Sequence, residues 1–122
     1  MTESHATPNA NFVDEFRRRL TEQRRDLLRT LASTDDELAT LEAHQAGAVV
    51  EDAATQTVAA ILARLEGQQK RELDEIEDAL TGLESGTFGV CESCGRAIPL
   101  ARLRAVPAAR HCLDCQTKLE TR

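Results

Sequence analysis

Four cysteines are the residues of this chain best placed to do chemistry. They stand as Cys91-Glu92-Ser93-Cys94 and, seventeen residues later, Cys112-Leu113-Asp114-Cys115. Two intervening residues let the backbone turn so that both sulfurs of a CxxC pair reach one ion, and two such pairs complete a tetrahedral shell. Gly95 follows the first pair and eases its close turn. The expectation is one structural Zn2+ held by Cys91, Cys94, Cys112 and Cys115. Four protein ligands leave no position for water or substrate, so such an ion stabilises the fold and does not hydrolyse. A redox CxxC needs a βαβ context, which the sequence lacks. Disulfides are disfavoured if the chain sits in the reducing cytoplasm, where it is expected: residues 1–10 have neither a basic start nor an apolar run, and no stretch is apolar enough to span a membrane.

The segment between the knuckles carries Ile98, Leu100, Leu103 and Val106 as its apolar residues and is too small to fold without metal. Residues 113–120 suit a short helix, with Cys112 and Cys115 at its N-terminus, where the helix dipole favours thiolates.

The remaining chain must position this module. It has no Trp or Tyr and three Phe among 122 residues, so a thick aromatic core is excluded and a narrow aliphatic seam expected. Residues 1–10 are polar and expected to be disordered. A helix is expected to start near Asn11, with Asp14 in a capping arrangement. Val13, Phe16, Leu20, Leu27, Leu31, Leu38 and Leu41 then form a near-heptad stripe, with Gln23 and Thr34 at skipped positions. The stripe stops near His44, and Gly47 suits a helix terminator. A second stripe runs through Ala54, Val58, Ile61, Leu62, Leu65, Leu73, Ile76, Leu80 and Leu83, is interrupted by Gln69 and ends by Gly86. Helices over 12–43 and 52–84 would each span roughly 48–50 Å. Their short connection favours an antiparallel hairpin with its tip near 45–54; a dimer of extended helices is the rival. The expected fold is all-α: a disordered 1–10, a coiled-coil hairpin over 11–86 and a zinc-finger module over 87–122, as a monomer.

Charge is uneven. The formal net charge is −6, with −9 in residues 1–90 and +3 in residues 91–122. An acidic arm opposes binding to phosphate backbones, so a protein partner fits better than DNA. Arg17, Arg18, Arg19, Arg24, Arg25 and Arg29 read either as solvated surface or as a stripe facing an acidic protein. Arg96, Arg102, Arg104 and Arg110 make a nucleic-acid-binding finger conceivable, but no aromatic platform accompanies them. No nucleophile and base are paired, so no enzyme is expected.

Phe88-Gly89-Val90-Cys91-Glu92-Ser93-Cys94-Gly95, with Ile98, Arg102-Leu103, Pro107 and Cys112-Leu113-Asp114-Cys115, resembles the DksA/TraR family of bacterial transcription regulators. The upstream hairpin extends the resemblance over roughly residues 12–120. It implies a protein that enters the secondary channel of RNA polymerase, tip toward the catalytic centre and finger on the rim, without sequence-specific DNA binding. The family's tip motif is Asp-x-x-Asp-x-Ala. One register places Ala48, Glu51 and Ala53 on it; a shift by one places Val49, Asp52 and Ala54. The first carboxylate is missing in both. The resemblance makes Glu51, Asp52, Ala53 and Ala54 the polymerase-modulating positions, with Asp52 favoured, unless Asp52 merely caps the second helix. Arg102 and Arg104 are candidate partner contacts. Positions at which some members hold guanosine tetraphosphate carry Glu75, Val106 and Gln116, so no dependence on that nucleotide is expected. The alternative is a zinc-finger coiled-coil adaptor for another protein or for a second copy.

Overall fold

The computed structural model describes residues 10–47 and 51–121, without the side chains of residues 10, 51 and 52. It is all-α among these residues: α1 (Ala10–Leu31), α2 (Asp35–Gln45), α3 (Glu51–Ala63), α4 (Gly67–Ser85), α5 (Leu100–Ala105) and α6 (Leu113–Glu120). A single antiparallel bridge, Val90 with Ala97, is the β pairing present. The architecture is a helical hairpin followed by a small four-cysteine finger and a short last helix. The expected N-terminal cap differs: α1 already includes Ala10, and Asp14 pairs with Arg17 at 3.2 Å along the helix. Residues 1–9 lie outside the described residues, as do Ala48, Val49 and Val50 at the expected tip.

Each arm of the hairpin is broken in two, where the stripes suggested helices continuous over 12–43 and 52–84. The first break is a capping box that the leucine stripe conceals. Thr34 has extended backbone and its hydroxyl accepts the Glu37 N–H at 3.0 Å, while the Ser33 N–H donates to Glu37 Oε1 at 2.9 Å. Thr34-Asp35-Asp36-Glu37 therefore starts a new helix and loads its first turn with carboxylates. The second break precedes Gly67, whose φ of +67° is open to glycine at little cost.

A difference in period explains why the breaks fall together. Leu27, Leu31, Thr34, Leu38 and Leu41 step by four and three, a heptad; Leu62, Leu65, Gln69 and Leu73 make an eleven-residue step. A single eleven-residue step is a four-residue stutter that locally unwinds a coiled coil, so unbroken helices would lose their common seam near it.

The chain forms two compact units, one drawn from Met1–Glu22 and Asp74–Arg122, the other Gln23–Leu73. In the second unit Leu28, Ile61 and Leu73 are buried, with Leu27, Leu31, Leu41, Val58, Leu62 and Leu65 packed around them. Each fully buried Leu or Ile contributes roughly 1.5–3 kcal/mol. Arg64 closes this unit: its guanidinium donates to Glu37 at 2.6 and 2.8 Å and to the Leu31 carbonyl at 3.0 Å, an acceptor left over at the end of α1. Arg29 of α1 meets Glu42 of α2 at 3.2 Å. On a straight helix thirteen residues span about 20 Å, beyond the reach of these side chains, so α2 turns back toward α1.

In the first unit Phe16, Leu20, Ile76, Leu83, Cys91, Ile98 and Leu103 are buried. All three phenylalanines meet there, with ring centroids at 4.7 Å for Phe12 and Phe16, 5.9 Å for Phe12 and Phe88, and 5.3 Å for Phe16 and Phe88. Gly86, at φ +82°, ends α4, and the Thr87 and Phe88 N–H groups both bond back to the Gly82 carbonyl at 2.9 and 3.2 Å. That turn delivers Phe88 to the helices three residues before the first cysteine.

Candidate metal centre

The finger begins as a tight knuckle. The Gly95 N–H bonds to the Cys91 carbonyl at 2.9 Å, and the Cys91 N–H to the Arg96 carbonyl at 2.8 Å. The Ile98 N–H returns to the Gly89 carbonyl at 2.7 Å, which buries Ile98 beside Leu103 under the knuckle. Helix α5, not anticipated from the sequence, starts after Pro99 and points Leu103 into this core. Its signal was Pro99 followed by Leu100 and Leu103 at helical spacing. Leu100 is half-buried, while Val106 is exposed.

Cys112 caps α6 with extended backbone, and Cys115 lies in its first turn. The two knuckles are tied by the Glu92 N–H donating to the Arg110 carbonyl at 2.8 Å and by Arg102 Nε donating to the His111 carbonyl at 2.9 Å. All four sulfurs then lie within 4.8 Å of one another, and those of Cys94 and Cys112 are 3.9 Å apart. Thiolates at 2.3 Å from a tetrahedral zinc would stand about 3.8 Å apart, so the donor set fits that ion. No disulfide joins them.

The site's electrostatics suit anionic sulfur at one corner. Burial opposes charge on Cys91, but the N–H groups of Cys112, Cys94 and Ser93, with the Cys94 thiol, outweigh it and bring Cys91 down to about 6. Cys115 is pushed up to about 12 by its hydrogen bond to Cys112, then by burial and by the other two sulfurs. Four sulfurs this close cannot all carry charge by themselves; a divalent cation resolves the conflict. The four cysteines fit one structural zinc ion, and Cys91, the most buried of them, belongs to the finger core.

The other residues singled out from the sequence fall in two places. Glu51 and Asp52 both belong to α3, next to residues 48–50, which lie outside the described residues. Ala53 is half-buried and Ala54 is buried at 4% exposure, so the smallness of Ala54 serves packing. Three of the four finger arginines are engaged within the finger's own unit. Arg102 bonds to His111; Arg104 Nε lies 3.6 Å from Glu15; Arg110 donates to Asp78 at 2.7 Å and faces Glu92 at 3.9 Å. A pocket on this unit brings together Glu75, Arg102, Val106 and Gln116, the positions compared above with a nucleotide site. No helix among the described residues is long and apolar enough to cross a membrane.

Comparison with known proteins agrees with this geometry. Residues 86–120 match the prokaryotic dksA/traR C4-type zinc finger. The RNA polymerase-binding transcription factor DksA of Escherichia coli is 42% identical over 55 residues, 45% of this chain and 36% of that protein. General stress protein 16O of Bacillus subtilis is 46% identical over 48 residues, 39% of this chain and 29% of that protein. These matches thus span about a third of the relatives' lengths. Among solved structures, the RNA polymerase binding protein and transcriptional regulator Dks of Chlamydia trachomatis superposes with a TM-score of 0.59 at 24% identity, covering 93% of this chain and 92% of that one. Transcription factor DksA2 of Pseudomonas aeruginosa gives 0.56 at 26% identity over 98% and 92%.

Proposed function

We propose that this chain, a zinc-finger protein of the DksA/TraR family, is a transcription regulator that binds RNA polymerase through the secondary channel and carries its hairpin tip toward the active centre. The observation that carries the reading is the finger itself: its four-cysteine spacing, its dksA/traR match and its seat on a helical hairpin coincide. The named function of the E. coli relative supports the partner. The role is non-enzymatic; the zinc ion supplies structure when bound.

The working end is the pair Glu51 and Asp52. A carboxylate presented there suits a hard cation such as the polymerase's catalytic magnesium, or the basic elements around it. Asp52 is the favoured lever and Glu51 its alternate, with Ala53 and Ala54 as the small residues beside them. Direct DNA binding is disfavoured, because Arg102, Arg104 and Arg110 already serve contacts within their own unit. Independence from guanosine tetraphosphate is supported by Glu75, a carboxylate in the pocket a phosphate would enter, and by Arg102 and Arg110 there, which already serve His111 and Asp78. The protein acts as a monomer in the cytoplasm. Co-elution of the zinc-loaded chain with purified core polymerase is the test, and its absence would overturn the reading.

A further inference from the structure

The turn between α1 and α2 is built from residues that do not forbid a helix. Leu31-Ala32-Ser33-Thr34 contains neither glycine nor proline. The Ala32 N–H still bonds to the Leu28 carbonyl at 2.9 Å, and the Leu38 N–H already bonds to the Thr34 carbonyl at 3.1 Å, so helical bonding lapses over a very short stretch. The apolar stripe also stays in register across the turn. A continuous helix would keep Leu27, Leu31, Leu38 and Leu41 on one face, with Thr34 as the lone polar member of the seam.

Two ion pairs and the packing of Leu41 on the core hold the bent form, and Glu37 keeps only 16% of its side chain exposed. Arg29 and Glu42 are 46% and 48% exposed, and Arg64, 37% exposed, grips Glu37. Water and salt compete with such pairs. Arg64 also occupies the Leu31 carbonyl, the acceptor that the Asp35 N–H would use in a continuous helix. Joining the helices would make the Asp35 N–H share that oxygen with Arg64 or displace it. Because α2 packs against α3, α3 would move with α2, pivoting at the opposite break before Gly67.

We propose that residues 32–34 form a conformational elbow: α1 and α2 exchange between the bent form, latched by Arg64 with Glu37 and by Arg29 with Glu42, and a single continuous helix. The inference concerns the chain alone and stands whether or not polymerase is the partner.

The test is a distance measurement by pulsed electron resonance between spin labels at the exposed positions Gln23 and Gln45, introduced through an unnatural amino acid to spare the cysteines. A continuous helix separates these positions by about 33 Å, and a bent one brings them closer. Wild type should show the shorter distance as its main population. Thr34→Leu with Glu37→Gln, which removes the cap and fills the seam, should move the main population to about 33 Å and raise the far-UV helix signal. Arg29→Gln, which leaves the cap and core untouched, should move part of it. A distance that stays short in both variants would overturn the elbow. So would a lengthened distance with a falling helix signal, which reports melting and not joining.

Discussion

Phe16 and Phe88 face each other at 5.3 Å between ring centroids, one from the first helix and the other from the lead-in to the first cysteine. Phe12 completes the cluster, and Arg19 stacks over Phe16 at 5.4 Å. The finger thus shares a core with the helices it follows. Because Phe16 is fully buried, Phe16→Ala should cost about 3–5 kcal/mol in urea unfolding of the zinc-loaded protein. A cost below about 1 kcal/mol would show that the cluster does not hold the finger.

Zinc removal should act through the same cluster. One zinc per chain should copurify. Chelation, or Cys112→Ser, should broaden amide signals over residues 88–120 and around Phe12 and Phe16, while Leu28, Ile61 and Leu73 keep their packing. A metal content near zero in protein prepared without chelator would remove the site.

Glu37 gives a pH signature. Its hydrogen bonds from Arg64, then from Ser33, hold its carboxyl at about 2, below the usual 4.5. The folded-state value is depressed, so the stabilisation is present above about pH 4.5 and is lost as pH falls from there toward 2. Carbon-detected titration should find Glu37 ionised at pH 3, and Arg64→Gln should return it toward the ordinary range. Protonation near 4.5 in the wild type would show that the Arg64 contact is not kept in solution.

At the tip, Asp52→Asn tests the lever by removing charge without bulk. Polymerase binding should survive and the effect on transcription in vitro should fall severalfold. Should Glu51→Gln alone abolish the effect, the register placing Glu51 on the motif is the correct one. Should neither change matter, tip charge is not the lever.

Much of this was legible in the sequence because it is local. The cysteine spacing dictates a knuckle geometry, Cys112 caps α6 as expected, and Gly47 and Gly86 end their helices with positive φ. The breaks at 32–34 and 64–66 were not anticipated from the leucine stripe, although Thr34-Asp35-Asp36-Glu37 is a capping box in plain view. A seam position occupied by Thr says only that the stripe is interrupted; whether the helix breaks there depends on Arg64, thirty residues on, capturing Glu37 and the Leu31 carbonyl. The Phe12, Phe16 and Phe88 cluster is likewise a tertiary fact, since only folding brings residues 12 and 88 together.

The most direct measurement is binding of the zinc-loaded chain to purified core RNA polymerase, followed by gel filtration and by titration with and without guanosine tetraphosphate. The account predicts a one-to-one complex, competed by other secondary-channel ligands and unchanged in affinity by the nucleotide. Failure to form any complex with core polymerase would contradict it.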